Sequence, residues 1–320
     1  MDDILKALLP GKIVSGERIS KALGITRAAV WKRITALRER GFVIESLDRQ
    51  GYLLVHVPDV LMSSLITYGL ETEWAGRHVF CYESVDSTNR VLKTMAADGA
   101  DHGTLVVANE QTGGRGRRGR GWLTPKDTSI AMSLLLRPEI PPAKVALLSL
   151  AASVAVAKGI RQVTGLEAGI KWPNDIVVNG KKVCGILLEM DADEQNVHYI
   201  VAGVGINVHL MDIPEEIRAT ATSLDLELGH PCSRVEIVKA VMRATEETEK
   251  LLKDGSFMSV YESLSVTLGH PVSVQAVGET FTGTAEQIRE DGVLMVRTES
   301  GAVREVMAGD VSVRGLMGYV

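Results

Sequence analysis

The sequence predicts an α+β fold in three parts: a small basic helical module closed by a β-hairpin, a large α/β body, and a small antiparallel β-barrel. Three observations carry that expectation. Residues 1–57 hold three short capped helical runs and then two β-runs about a turn; residues 66–268 mix β-branched runs with a long alanine-rich helix; residues 269–320 are short β-runs broken by glycines. At 320 residues the chain suits two or three domains with real cores.

Composition narrows the classes of function. Net charge is −5, but the interval from Lys12 to Arg49 holds nine Lys or Arg against four Asp or Glu, an excess of five, so the rest carries −10. A basic module on an acidic body points to nucleic acid touching one end only. Cys81, Cys184 and Cys232 are dispersed, with no CxxC, which fits reduced thiols. The seven histidines are scattered without HExxH, so no metal site built by the protein alone is expected. No apolar run reaches the roughly 18 residues of a spanning helix, and the start MDDILKALLPGK is unlike a secretory signal. A cytoplasmic protein without a membrane partner is expected.

In the first part, residues 2–9 form one helix, Ser15 caps a second that Gly24 stops, and Thr26 caps a third that ends at Gly41. Val30, Ile34 and Leu37 recur at helical spacing and pack inward, which turns Arg27, Trp31, Lys32, Arg33 and Arg38 outward. FVIESL and YLLVHV then flank the turn DRQG. This is a winged helix-turn-helix pattern, with Arg27, Lys32 and Arg33 of the third helix and Arg49 of the wing as the candidate DNA contacts. An ordinary solvated face used for protein contact is the alternative. Pro58 and the following DVLMSS read as a linker.

In the body, HVFCYE leads into DSTN, where a strand turns into the helix NRVLKTMAADG. Those short polar groups either cap the helix or recognise a ligand at a strand end. TLVVAN precedes EQTGGRGRRGRGW, residues 110–122, in which Gly113, Gly114, Gly116, Gly119 and Gly121 interleave with Arg115, Arg117, Arg118 and Arg120. Glycine lets backbone N–H groups approach a ligand, and arginine supplies charged planar forks, so the segment suits an anion. The phosphate loop GxxxxGK[ST] is absent.

SIAMSLLL is a buried strand and residues 144–163 a long helix. Asn179-Gly180 signals a hairpin joining IVV to VCGILLEM, which puts KWPND (residues 171–175) at its entrance; Lys171 in an apolar setting calls for an anionic partner. GVGIN fails as a dinucleotide fingerprint because position 208 is Val, so its glycines serve close packing and Asn207 is left for a ligand. Residues 211–230 read as a mobile connection, and Ser233 with Glu236 opens a helix to about Lys253. VSVQAV, TFTGTAEQI, GVLMVRT, AVREVMAG and VSVRG are the strands of the barrel, a packing lid or partner surface.

With DSTN, EQTGGRGRRGRGW, KWPND, CGILLE and GVGIN in this order and at this spacing, the chain resembles the biotin protein ligases. With its N-terminal winged helix it resembles the bifunctional type that also represses the biotin operon. The resemblance implies a mixed-sheet catalytic domain of the biotin/lipoate ligase type and an SH3-like C-terminal barrel. It implies ATP and biotin as substrates, Mg2+ with the ATP, biotinyl-5′-adenylate as the intermediate, and a lysine of a biotin carboxyl carrier protein domain as acceptor. It further implies operator DNA as partner and a homodimer in the adenylate-bound form.

Carried over by position, Ser87, Thr88, Asn89 and Gln111 contact biotin. Arg115, Gly116 and Arg117 meet biotin and the adenylate phosphate, and Lys171 sits between carboxylate and phosphate. Arg118, Arg120, Asn174 and Asn207 join Arg117 at the nucleotide, and Trp122 orders the loop there. Arg117 and Lys171 are the expected charge-neutralising catalytic pair. One departure is that residues 211–230 lack the aromatic that covers adenine in some members. Two alternatives stand beside this reading: a non-catalytic biotin-sensing transcription factor, and a lipoate ligase, whose RRxSGGGxVxHD loop has no counterpart here.

Overall fold

The computed structural model describes residues 2–276, 279–308 and 312–315. The chain separates into two compact units, residues 1–70 and 71–320.

In the first unit, α1 (Asp2–Leu8), α2 (Gly16–Leu23) and α3 (Arg27–Glu39) precede the hairpin β1 (Val43–Leu47) and β2 (Gly51–His56). Ser15 accepts a hydrogen bond from the Arg18 N–H, and Thr26 one from the Ala29 N–H, so each helix starts where a side-chain oxygen satisfies its first donors. Val30, Ile34 and Leu37 are buried with Ile4, Leu5, Leu8, Ile19 and Phe42. Val14 pairs with Tyr52, and the crossing leaves no room at Gly51, where a β-carbon would lie 2.2 Å from the Val14 carbonyl oxygen. The stretch after Pro58, expected as a linker, is folded instead. Leu61 and Met62 are buried, α4 (Ser63–Thr67) packs on α1, and the Ser64 hydroxyl donates to Asp2. Buried apolar residues, Leu61, Met62, Leu65 and Ile66, overrode the proline signal.

The second unit opens with β3 (Val79–Tyr82), α5 (Thr88–Ala97), β4 (Leu105–Ala108) and β5 (Ser129–Leu136). There follow α6 (Val145–Thr164), β6 (Gly169–Lys171), β7 (Asp175–Val178), β8 (Lys181–Ala192) and β9 (Val197–Asn207). The sheet order is β3-β4-β5-β9-β8-β7-β6; β3 and β4 run parallel and the remaining pairs antiparallel, so the sheet is mixed. Asn179 (φ 50°) and Gly180 (φ 75°) make the tight turn between β7 and β8 that the Asn-Gly pair predicts.

Two rows of the sheet matter for what sits on it. Ala131, Gly205 and Gly185 are in register across β5, β9 and β8, and next to them Ser133, Gly203 and Leu187. Alternation puts both rows on the face that carries α5, whose Leu92 and Ala96 pack on Val106, Leu135 and Val201. On that face there are almost no side chains in the first row, so other groups reach the backbone.

α6 is long and apolar enough to cross a membrane by length and composition, contrary to the expectation that no run would reach that length. Half of it is buried, and it packs along α8 (Arg234–Asp254), which follows the short α7 (Leu224–Leu228). The two helices touch closely at Gly159, where a β-carbon would lie 2.6 Å from Val241 Cγ2. It is a core helix of this domain. α7, with Leu224 and Asp225 buried, lies within residues 211–230, the stretch read from the sequence as a mobile connection. Next come α9 (Phe257–Leu264) and a five-stranded antiparallel sheet. That sheet comprises β10 (Pro271–Ala276), β11 (Glu279–Ile288), β12 (Leu294–Arg297), β13 (Val303–Val306) and β14 (Ser312–Gly315), in the order β13-β12-β11-β10-β14.

Glu246 of α8 fastens the first turn of this unit. Its carboxylate accepts the N–H groups of Glu73, Trp74 and Ala75 at 2.9, 2.7 and 2.9 Å. Burial would raise its pKa, but the three donors outweigh that and hold it below the usual carboxylate range. The stabilisation is therefore complete above the ordinary value near 4.5 and lost as pH falls through the lowered one. Glu246→Ala is expected to lower the unfolding free energy by on the order of 3 kcal/mol at neutral pH. Urea unfolding checks it: the gap from wild type should narrow below about pH 4.5.

Candidate active site

DSTN lies at the start of α5, above the Ser133–Gly203–Leu187 row. Ser87 is the N-cap residue, yet its side chain makes no capping bond. The Thr88 N–H is instead satisfied by Gln111 Oε1 at 2.8 Å, a residue from the beginning of the arginine-glycine loop. Helix capping alone thus does not account for this segment. Thr88 Oγ1 lies 3.0 Å from the same Gln111 oxygen and 2.8 Å from Ser133 Oγ. Ser133 in turn donates to Asn89 Oδ1 at 2.6 Å, and Asn89 Nδ2 donates to Glu189 Oε2 at 2.7 Å. Ser87, Thr88, Asn89 and Ser133 are all buried. Gly203 makes the seat possible, since a β-carbon there would lie 2.2 Å from Asn89 Oδ1.

The loop is folded rather than trailing. Gln111 bridges Thr124, Arg115 bridges Gly121, and Arg117–Gly119 form one 3-10 turn with Arg118 in the left-handed region at φ 57°. The Gly113 N–H donates to the Asp86 carbonyl, which ties the loop to DSTN, and the Trp122 N–H donates to the Gly114 carbonyl. The Trp122 indole lies on the row of glycines: β-carbons at Gly205 and Gly185 would fall 2.3 and 3.2 Å from it. Lys182 Nζ stands 5.3 Å from its ring centroid and pairs with Asp175 at 2.6 Å.

KWPND is the turn between β6 and β7, since Lys171 and Asp175 are register partners. Trp172, followed by the cis peptide to Pro173, is buried, with its N–H on Thr267 Oγ1 and its indole on the Gly292 carbonyl. That anchoring holds Lys171, 6% exposed, within the protein. Asn174 Nδ2 donates to the Ile186 carbonyl while its Oδ1 accepts from Arg117 at 2.9 Å. One amide therefore joins the loop's half-buried arginine to the lysine's turn.

The remaining sites are more dispersed. Arg115, Arg118 and Arg120 are at least partly exposed. Asn207, expected to be left for a ligand, is buried and its amide nitrogen donates to the Thr222 carbonyl. Sequence reasoning did not single out Ser133, Glu189 or Lys93, which complete the DSTN network. A serine inside SIAMSLLL and a glutamate ending CGILLE were visible signals: polar groups in buried strands require partners. Burial would raise the Glu189 carboxyl, but hydrogen bonds from Lys93 and Asn89, with the charges of Lys93 and Arg115, hold it below its usual range. Burial pushes the Cys184 thiol up, away from reactivity.

In the first unit Arg27 and Lys32 are exposed on α3, Arg33 is partly buried, and Arg49 stands at the wing tip with φ 57°. Arg27 pairs with Glu17 at 2.9 Å, both largely exposed. Arg38, also outward, acts mechanically, since its guanidinium donates to the Ile44 carbonyl and Ser46 Oγ and so fastens the wing to α3.

Comparison with known proteins follows the same divisions. Residues 81–207 match the Biotin/lipoate A/B protein ligase family, residues 1–53 the HTH domain family, and residues 267–314 the Biotin protein ligase C terminal domain family. The chain is 38% identical over 305 residues to the Bifunctional ligase/repressor BirA of Bacillus subtilis, covering 94% of each protein. It is 27% identical over 314 residues to the protein of that name in Escherichia coli, covering 97% of this chain and 96% of that one. Among solved structures it is similar to the biotin protein ligase of Aquifex aeolicus in complex with biotin and ATP, with a TM-score of 0.66 and 31% identity, covering 75% of this chain and 99% of that one. The α+β architecture expected from the sequence is the one found: winged helix-turn-helix, mixed-sheet ligase domain and SH3-like C-terminal sheet. The chain belongs to the biotin/lipoate protein ligase family, in its bifunctional ligase/repressor branch.

Proposed function

We propose that this protein joins biotin to ATP as biotinyl-5′-adenylate, passes the biotinyl group to a lysine of a carboxyl carrier protein domain, and represses transcription by binding operator DNA as an adenylate-loaded homodimer in the cytoplasm. The observation that carries the enzymatic part is the Arg117–Asn174 hydrogen bond, which brings the cationic loop to the turn holding Lys171.

The chemistry asks for that convergence. A carboxylate must approach an α-phosphate, so two anions meet and charge grows as the new bond forms. Arg117 and Lys171 offset that repulsion, and the loop backbone N–H groups add donors fixed beforehand. Thr88, Asn89, Gln111 and Ser87 bind the other end of biotin, while the folded loop excludes water from the mixed anhydride. No enzyme nucleophile is needed, because the substrate carboxylate attacks first and the acceptor amine second. Arg115 and Gly116 meet biotin and the adenylate phosphate, and Arg118, Arg120, Trp122, Asn174 and Asn207 line the approach to the nucleotide. Magnesium would be held mainly by the ATP phosphates, as that hard ion usually is.

Biotin-driven ATP–pyrophosphate exchange tests the enzymatic reading, with lipoate as competitor. Preference for lipoate would reverse the substrate assignment, and tight biotin binding without transfer to a carrier domain would favour a sensor. For the N-terminal unit, Lys32→Ala is expected to weaken binding to operator and unrelated DNA alike and to reduce the slope of log affinity against log salt by about one. Electrophoretic shifts across a salt series measure this; an unchanged slope would remove Lys32 from the phosphate contacts.

A further inference from the structure

Glu189 lies at the far end of β8 from Lys182 and has no part in the chemistry set out so far, yet it terminates the hydrogen-bond chain beneath the DSTN segment. We propose that Glu189 is a positioning residue: by accepting from Asn89 it fixes the direction of every bond in that chain, so that Thr88 Oγ1 and Gln111 Oε1 face the ligand as acceptors of N–H groups. This rests on the biotin reading, biotin's ureido ring carrying two N–H donors.

Counting protons carries the inference. An ionised carboxylate only accepts, so the group Asn89 turns toward Glu189 Oε2, 2.7 Å away, must be its amide nitrogen. Its Oδ1 then faces Ser133 Oγ at 2.6 Å and must receive that hydroxyl's single proton. Ser133 is left with lone pairs toward Thr88 Oγ1 at 2.8 Å, which draws the Thr88 proton to itself. Gln111 Oε1, already holding the Thr88 N–H at 2.8 Å, is thereby relieved of the hydroxyl and keeps a lone pair. Thr88 Oγ1, with its proton spent, offers lone pairs alone. Lys93 on Glu189 Oε1 and the nearby charge of Arg115 keep the carboxylate ionised. A neutral amide at position 189 would present a donor and an acceptor, so that only the long 3.4 Å contact from Asn89 Nδ2 to the Leu187 carbonyl would still orient the Asn89 amide, and the direction of the chain would be weakened.

The test uses the full chain and reads biotin-driven pyrophosphate exchange, with thermal unfolding of each variant alongside. Glu189→Gln is expected to raise the KM for biotin about tenfold while kcat and the KM for ATP change less than about twofold. Glu189→Asp, which keeps a carboxylate, is expected to recover most of that loss. Ser133→Ala added to Glu189→Gln should raise the KM little beyond the worse single change, because both break one chain. An unchanged KM in Glu189→Gln would overturn the proposal, as would Glu189→Asp performing no better or the two changes multiplying independently. Should Glu189→Gln fail to fold, Glu189→Asp and Ser133→Ala still decide: a near-normal KM in the first with a raised one in the second supports it, and equal losses overturn it. Absence of exchange in the wild-type chain would instead sink the ligase reading, a result distinct from a wild type that turns over and a Glu189→Gln that matches it.

Discussion

Replacing Lys171 with Met is expected to lower biotin-driven ATP–pyrophosphate exchange by about a hundredfold, nearly all of it in kcat. The ammonium is 6% exposed and held by a strand end and an anchored Trp-Pro turn, so little water competes with it for a developing negative charge. A charged hydrogen bond in such a place contributes about 1.5 to 3 kcal/mol, and the upper part of that range corresponds to two decades in rate. Methionine has a similar length and no charge, so the fold should survive, which circular dichroism and thermal unfolding would verify. Lys171→Arg would keep the charge but replace a point ammonium with a larger planar fork, and is expected to recover only part of the rate. Exchange within about threefold of wild type in Lys171→Met would remove the lysine from the charge-neutralising role.

The second large effect is expected from Gly205→Ala, a change that adds one methyl group and removes nothing. That methyl would stand 2.3 Å from Trp122 Nε1, and behind it lies the sheet, so the indole must lift. Trp122 also closes the loop through its N–H on the Gly114 carbonyl, and Arg115 and Gly121 pair just inside that closure. Lifting the ring therefore loosens the segment that presents Arg117. Exchange is expected to fall at least about tenfold, with overpacking of about 1 to 3 kcal/mol if the ring stays in place. Limited trypsinolysis distinguishes the two responses: faster cleavage among Arg115, Arg117, Arg118 and Arg120 reports a lifted ring. Unchanged cleavage with unchanged exchange would mean that Trp122 does not hold the loop.

What the sequence made legible was whatever neighbouring residues decide. Ser15, Thr26 and Ser233 cap their helices because the oxygen and the N–H it satisfies lie three residues apart. Asn179-Gly180 sets its turn by its own dihedral preferences. The placing of KWPND at a hairpin was legible for the same reason. Contacts between distant residues were not: Asn89 and Glu189 are 100 positions apart, and Glu246 reaches back 171 to 173 positions to Ala75, Trp74 and Glu73. No local preference encodes either. GVGIN was correctly read as a place of close approach, but that the approaching groups are Asn89 and the Trp122 indole depends on the pairing of β5, β9 and β8. The reading of residues 58–64 as a linker failed where buried apolar residues outweighed proline, and the short α7 within the connection 211–230 was not foreseen.

The glycine row has a consequence for how such a protein could change its diet. Where Gly203 and Gly205 face Asn89 and Trp122, a hydrogen atom is the largest substituent the backbone tolerates. Divergence toward a differently shaped acid cannot proceed by sculpting the base of the chamber, since any mutation there first evicts a wall. Variation is channelled to the polar margin around Thr88 and Gln111, and a selection for new vitamin analogues should return its winners from those positions.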